Sequence, residues 1–199
     1  MCLLIETIKV SERRFLNLAF HNERMNSARR KLLGCKDSIG IAESLNVPSN
    51  LGNDVFKCTV SYGQTIVKVE FKPYSIPKIK NLMIIRCDTI DYSFKYADRS
   101  ELNNLFNLRG WCDEILIVKD GLITDTSFTN IIFNDGKKWV TPEKPLLKGT
   151  KRENLLKKGL IKEAAVSLED LTKFNEACLI NAMLEIGDIR IDTKNIYKL

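Results

Sequence analysis

The chain has 199 residues, of which 44% are hydrophobic and 28% are charged, and its formal net charge is +6. This length and hydrophobic content suffice for a buried core, so an intrinsically disordered chain is excluded. The positive charges are scattered, without a basic helical stripe or an RNP-like aromatic motif. Such a pattern suits an anionic small molecule as well as nucleic acid, and its weakness leads us to expect no nucleic-acid partner.

Cysteine and histidine usage limits the chemistry further. The six cysteines include no CxxC pair and no short regular spacing, so we expect reduced core thiols in a cytoplasmic protein and no disulfide framework. His21 is the only histidine, which excludes a histidine-rich metal site, and we expect no metal. Apolar stretches such as residues 82–85 are too short to cross a membrane, and Glu6 interrupts the apolar start, which argues against a signal peptide.

The pattern up to residue 74 predicts a small α/β unit. Near alternation and β-branched residues predict strands, and Gly34 is a typical C-terminal cap of a helix. In chain order the predicted elements are a strand over 3–10, a second strand over 15–19, a helix over 22–34, a short helix from 37 or 38 to 45, and hairpin strands over 55–61 and 66–71.

Pro73 and Pro77 interrupt regular structure and mark the best candidate for a joint between domains. We therefore expect a small N-terminal domain over 1–74 and a larger domain over 77–199 that carries Lys95. The elements predicted beyond the joint are strands over 82–86, 114–118, 122–124, 130–133, 138–141, 161–166, 177–180 and 186–191, with helices over 99–108 and 151–158. Because strands and helices do not alternate regularly, the fold class is α+β.

One segment indicates ligand chemistry on physical grounds. Within residues 145–152, Gly149 is followed by a hydroxyl and two cations, Thr150, Lys151 and Arg152, where a turn enters a helix. Free backbone amides at a helix N-terminus, with Gly149 allowing close approach, form a cradle for phosphate. The alternative is an ordinary turn before a solvated basic helix.

Seven segments, taken in order, resemble the class IV aminotransferase family, which includes D-amino-acid and branched-chain aminotransferases and aminodeoxychorismate lyase. They are FHNER (20–24), DYSFKYADR (91–99), DEILI (113–117), GLITDTSFTN (121–130), TP (141–142), LLKGTKR (146–152) and LINAM (179–183). The resemblance covers nearly the whole chain and is closest to the short, lyase-like members. It implies the pyridoxal 5′-phosphate (PLP) fold of the D-amino-acid aminotransferases, with the cofactor between an N-terminal α/β sandwich and a mixed C-terminal domain, and it implies a homodimer.

The resemblance also implies a role for particular residues. Lys95 matches the catalytic lysine that carries PLP as a Schiff base, and its amine would act as general acid and base. Arg24 matches the arginine that binds the cofactor phosphate, and Asp125 matches the carboxylate at the pyridine nitrogen, which makes the ring an electron sink. The remaining matches are Leu147, packed against the ring, and the backbone groups of Thr150, Lys151, Asn181 and Ala182, at the phosphate.

Three features qualify the match. His21 precedes Arg24 by three residues, which places both on one helical face, so we interpret it as a positioning residue. The family usually has glutamate where this chain has Asp125, so the backbone must come closer to the ring. The chain also starts inside the family pattern, at the strand 3–10, without the preceding strands.

The predicted function is that of an aminodeoxychorismate lyase in folate biosynthesis, which forms 4-aminobenzoate and pyruvate. The ending Asn181-Ala182-Met183 resembles the lyase subgroup. A class IV amino-acid transaminase uses the same cofactor residues and is the first alternative. A cofactor-free binding protein of the same fold is the second, motivated by Asp125 and the short N-terminus.

Overall fold

The computed structural model describes residues 3–198, and its contacts divide them into two compact units. The first unit consists of the chain up to Ser75 together with Phe94–Asp98. The second consists of Ile76–Ser93 and the chain from Arg99 onwards.

The first unit is a four-stranded antiparallel sheet packed on one long helix. Its elements are β1 (Leu4–Ser11), β2 (Arg14–Phe15), α1 (Leu18–Leu33), α2 (Ile41–Ser44), β3 (Phe56–Tyr62) and β4 (Ile66–Pro73), and the strand order is β2-β1-β3-β4. Buried and half-buried residues alternate along β1 and β3, so one face of the sheet is covered and the other is partly exposed.

The core of this unit lies on the covered face of the sheet. Leu4, Ile8 and Val60 share it with Met25 of α1, and all four side chains are fully buried. Each such side chain contributes roughly 1.5–3 kcal/mol through burial. The helix ends at Gly34, whose φ of 67° confirms the predicted C-terminal cap.

The segment that carries Lys95 packs with this first unit, although we expected it in the larger domain. The amide of Ile5 donates to the carbonyl of Lys95 at 2.9 Å, and the amide of Ala97 donates to the carbonyl of Leu3 at 2.9 Å. The two-residue strand β2 pairs only with the far end of β1. The first half of β1 therefore has an open edge, and residues 95–97 satisfy its backbone groups.

The second unit contains two sheets. Its elements are β5 (Leu82–Arg86), α3 (Ser100–Asn107), β6 (Glu114–Lys119), β7 (Leu122–Ile123), β8 (Asn130–Asn134), β9 (Trp139–Pro142), α4 (Thr150–Lys157), β10 (Ile161–Ala164), β11 (Glu176–Ile180), β12 (Arg190–Asp192) and β13 (Ile196–Tyr197). The strand orders are β13-β5-β6-β7 and β10-β9-β8-β11-β12. Parallel β5 and β6 are almost continuously buried, as their unbroken apolar runs require.

The structure differs from the sequence-based elements in several places, and the short helix predicted from 37 or 38 to 45 is reduced to α2. The predicted strand 15–19 is wrong beyond Phe15, because α1 already begins at Leu18 after the left-handed residue Asn17 (φ 58°). The strands predicted over 161–166 and 186–191 are reduced to β10 and β12. Strand β13 was not predicted, since two residues are too few to show a period.

Five cysteines lie in the described part of the chain, and all five are free thiols. Cys58, Cys112 and Cys178 are buried, whereas Cys35 and Cys87 are half-buried. Cys2, which we expected to behave likewise, lies outside the described residues. Within residues 3–198 no helix is both long and apolar enough to cross a membrane.

Candidate functional site

A buried ionic cluster occupies the first unit between β1 and α1. The carboxylate of Glu6 is fully buried and accepts two hydrogen bonds from Arg24, from Nε at 2.9 Å and from Nη2 at 2.5 Å. Nδ1 of His21 lies 2.6 Å from the same carboxylate. The predicted shared face of His21 and Arg24 is thus confirmed, since both side chains reach one acceptor.

Burial and charge act in opposite directions in this cluster. Burial raises the pKa of Glu6, but the charge of Arg24 and the hydrogen bonds from His21 and Arg24 outweigh it and lower that pKa to about 2. Burial lowers the pKa of His21, and the positive charges of Arg24 and Lys95 lower it further against the opposing effect of Glu6. Glu6 is therefore a permanent anion that holds Arg24 in a fixed orientation.

Glu6 was not among the predicted site residues. It stands between Leu4 and Ile8 at a position of β1 that faces the core. A carboxylate at such a position is costly unless it is paired. The available signal was a charged residue among the core-facing positions of β1, which are otherwise apolar. A histidine and an arginine three residues apart on a nearby helix were its natural partners.

In the second unit, Asp125 is held by a network that the sequence does not reveal. The side-chain amide of Asn130 donates to one carboxylate oxygen at 2.7 Å, and the backbone amide of Leu147 donates to the other at 3.0 Å. The same Asn130 amide also donates to the carbonyl of Leu147 at 2.8 Å. Asn130 thereby links the turn after β7 to the segment before α4.

A second buried carboxylate braces the loop that follows Asp125. Glu114 accepts hydrogen bonds from the hydroxyl of Ser127 at 2.9 Å and from its backbone amide at 3.3 Å. Arg99 donates to the carbonyl of Ser127 at 2.8 Å. Burial raises the pKa of Glu114, which these hydrogen bonds oppose. Both the backbone amide and the backbone carbonyl of Ser127 are thus held by charged side chains.

Stability should depend on pH through Asp125. Burial raises the pKa of this carboxyl from 3.8 to about 6, against the opposing effect of its hydrogen bonds. Between these values the folded protein binds the proton more tightly than the unfolded chain, so the stabilisation is complete below pH 3.8 and is lost as the pH rises through 6.

Asp125→Asn should remove this dependence. Wild type should lose about 2 kcal/mol of its free energy of unfolding between pH 4.5 and pH 7 through Asp125, and the variant should not show this loss. Urea unfolding at the two pH values, with cofactor-free protein, measures the difference. An equal pH response in both proteins would contradict the assignment.

The predicted phosphate cradle lies at the start of α4 in the second unit. Gly149 is the N-cap residue, and Thr150 and Lys151 occupy the first turn, where backbone amides have no intrahelical acceptor. The ammonium of Lys151 contacts Glu185 at 2.5 Å. This ion pair joins the start of the helix to the segment that follows the turn at Asn181. In that turn the side-chain oxygen of Asn181 accepts hydrogen bonds from the amides of Met183 and Leu184 at 2.8 and 3.1 Å.

Arg152, the second cation at this helix start, has a structural role. Arg152 is fully buried and donates to Glu163 at 2.5 Å and to the carbonyl of Pro142 at 3.0 Å. Its guanidinium therefore ties α4 to strands β9 and β10. The side chain of Arg152 is thus committed to contacts within the second unit.

Gly149→Ala should damage this region without straining the backbone. A Cβ at Gly149 would lie 2.0 Å from the side-chain oxygen of Asn130, whereas its φ of −71° suits alanine. Asn130 must then move, which weakens its hydrogen bond to Asp125. We expect a loss of about 1–3 kcal/mol in the free energy of unfolding. Gly52→Ala, whose nearest contact is an ordinary 3.7 Å to Asp54, is the matched control and should change it by less than about 0.5 kcal/mol.

The predicted site residues thus fall into two groups, each within one unit. Arg24 and Lys95 belong to the first unit, and the charge of Lys95 acts on His21 beside Arg24. The second unit holds Asp125, Leu147, Thr150, Lys151, Asn181 and Ala182. The residues that support them, Glu6, Glu114 and Asn130, were not predicted as site residues.

Comparison with known proteins identifies the family. The model of the class IV amino-transferases matches residues 89–191. An uncharacterized protein of Haemophilus influenzae is 38% identical over 183 residues, which cover 90% of this chain and 97% of that protein. The chain belongs to the class IV aminotransferase family. Enzymes of this family depend on PLP, so the chain is a member of a PLP-dependent enzyme family.

Two named relatives refine this class IV assignment. The crystal structure of a candidate 4-amino-4-deoxychorismate lyase from Haemophilus somnus superposes with a TM-score of 0.84 at 31% identity, covering 92% of this chain and 97% of that one. The aminodeoxychorismate lyase of Saccharomyces cerevisiae is 36% identical over 93 residues, which are 43% of this chain and 24% of the yeast protein. The predicted α+β PLP fold is thereby confirmed.

Proposed function

We propose that this chain binds PLP and removes pyruvate from 4-amino-4-deoxychorismate to give 4-aminobenzoate. The likeness to the Haemophilus somnus protein carries the proposal, because it extends over nearly the full length of both chains at 31% identity. The sequence similarity to the yeast lyase, although shorter, supports the same substrate.

The donor groups of the chain fit a phosphorylated pyridine. Arg24 is a cation whose orientation is fixed by a buried carboxylate, and such a guanidinium matches the oxygens of a phosphate. The first turn of α4 adds backbone amides. Asp125 is a buried carboxylate of the kind that a pyridinium nitrogen needs, and each of its oxygens has capacity for a second hydrogen bond.

We assign the following roles. Lys95 binds the cofactor and moves the proton of the substrate; Arg24, Thr150, Lys151, Asn181 and Ala182 hold the phosphate; Asp125 holds the ring nitrogen protonated; and Leu147 packs on the ring. The bound cofactor supplies an electron sink for the carbanion that forms when this proton leaves. The orientation of Arg24 depends on Glu6, and the position of Asp125 depends on Asn130.

A class IV transaminase uses the same residues, so the assay must separate the two reactions. Purified protein loaded with PLP is incubated with 4-amino-4-deoxychorismate alone, and 4-aminobenzoate and pyruvate are measured by chromatography. We expect equal amounts of both products without a keto acid. If product formation requires a keto acid acceptor, the protein is a transaminase and not a lyase. The variant Lys36→Ala, which alters an exposed loop residue, should retain full activity.

We further propose a cytoplasmic homodimer that acts on a small molecule. The family resemblance supports the dimer, and the free thiols at Cys58, Cys112 and Cys178 suit a reducing compartment. Light scattering from the PLP-loaded protein should give twice the mass of one chain. The mass of a single chain would contradict the dimer.

A further inference from the structure

Three lysines lie side by side across the sheet of the first unit. In the strand register, Lys9 of β1 is directly opposite Lys57 of β3, and Lys57 is directly opposite Lys72 of β4. Directly paired residues project from the same face of a sheet. Since Ile8 and Val10 point into the core, the lysine row lies on the other, partly exposed face.

Further cations on this face strengthen its positive potential. Arg14 is paired with Ser11, two residues from Lys9. Lys68 lies on β4 opposite Ser61, and its ammonium is 3.1 Å from Glu70. Within the described strands, Glu70 is the one carboxylate at the paired positions of this face. Lys68 thus pairs with the acidic residue at these paired positions, and the row itself consists of three cations.

Such a row is unfavourable for folding. Neighbouring strands are about 4.8 Å apart, and like charges directly opposite each other destabilise a sheet. Lys9 and Lys57 are also half-buried, so solvent screens their repulsion less than on an open surface. An anion that bridges the row relieves this repulsion, and its attraction is strengthened by the same partial burial.

We propose that Lys9, Lys57 and Lys72 bind the carboxylates of the substrate, which is therefore a molecule with more than one carboxylate. This inference rests on the proposed function and names the residues that select its substrate. Lys95 is hydrogen-bonded to the same sheet opposite Ile5. Lys9 lies four positions after Ile5 on β1, or about 13 Å along the strand, so long side chains bring both ends within reach of one small molecule.

The composition of this face favours a small carboxylate over RNA. Single-stranded nucleic acids bind where aromatic side chains stack on the bases. The paired positions of the face in the described strands carry Ile5, Thr7, Ser11, Thr59 and Ser61 besides the charged residues, and none of them is aromatic. Hydroxyl groups next to a cation row suit carboxylates and ring hydroxyls.

The experiment measures binding of chorismate, a dicarboxylate that carries a hydroxyl where the substrate carries its amine. Calorimetry with the PLP-loaded protein compares wild type, Lys9→Gln, Lys57→Gln and the control Lys36→Gln, an exposed loop position. We expect each row variant to bind chorismate about tenfold more weakly and the control to bind like wild type. Thermal unfolding should show Lys57→Gln to be at least as stable as wild type, since a like charge between Lys9 and Lys72 has been removed.

The outcomes separate this inference from the proposed function. Weaker chorismate binding in the row variants supports the lysine site even if no 4-aminobenzoate is formed by wild type. Equal affinities in all four proteins overturn it, even if 4-aminobenzoate is formed. A short single-stranded RNA that binds wild type and displaces chorismate from it would also overturn the assignment, because the face would then serve a polyanion.

Discussion

Lys95→Ala should lower the rate of 4-aminobenzoate formation by on the order of 10³-fold or more, because both the bond to the cofactor and the proton-transfer group are lost. Its fold should be retained. The Lys95 backbone pairs with β1 through its carbonyl, which alanine keeps, and its side chain is only half-buried. Steady-state turnover of the PLP-loaded variant measures the loss.

Two controls make this result specific. Circular dichroism and thermal unfolding of Lys95→Ala should match wild type. Added methylamine should restore part of the turnover, since a free amine replaces the missing proton carrier. Turnover within tenfold of wild type would show that another residue is the catalytic base.

Glu6→Gln should cost about 3 kcal/mol or more in the free energy of unfolding and should weaken PLP binding. Glutamine keeps the shape but leaves the guanidinium of Arg24, which is 17% exposed, without its counter-ion. Removal of one partner from a buried ion pair typically costs 3–5 kcal/mol. Because Arg24 also loses its fixed orientation, we expect PLP affinity to fall about tenfold. Urea unfolding and PLP titration provide the two measurements.

The pH dependence of Glu6 offers an independent check. Its pKa of about 2 lies below the ordinary 4.5, so the folded protein binds fewer protons than the unfolded chain. The resulting stability is complete above pH 4.5 and is lost as the pH falls toward 2, and Glu6→Gln should lack this loss. Glu176→Gln, which removes the partner of Arg190 from a pair on the surface, should cost less than about 1 kcal/mol. Equal costs for both variants would contradict the account.

The parts of the fold with strong local signals were predictable. Residues 3–10 alternate, residues 22–34 end at Gly34, and residues 82–85 form an apolar run, and each is found as the expected element. The position of Lys95 was not predictable in this way. Its segment joins the first unit because the edge of β1 is open there, and a pairing between distant parts of a chain leaves no periodic trace.

In the candidate site, too, some residues were predictable from the sequence and others depend on tertiary contacts. Lys95, Arg24 and Asp125 were identified by resemblance, whereas their supports were not. Asn130 reaches Asp125 and Leu147 at once only because β8 begins beside the segment that precedes α4. Arg152, a cation at the predicted helix start, binds Glu163 because strands β9 and β10 pair next to it. Contacts of this kind depend on tertiary packing and not on local pattern.

The lysine that carries the cofactor can be identified by covalent labelling. PLP-loaded protein is reduced with borohydride, which makes the bond between cofactor and lysine permanent, then digested and analysed by mass spectrometry. We predict one phosphopyridoxyl group on the peptide that contains Lys95, and an absorbance band near 410–430 nm before reduction that is absent from Lys95→Ala. A label on another lysine would contradict the assignment of Lys95. A protein that takes up no label would be a cofactor-free binding protein of the same fold.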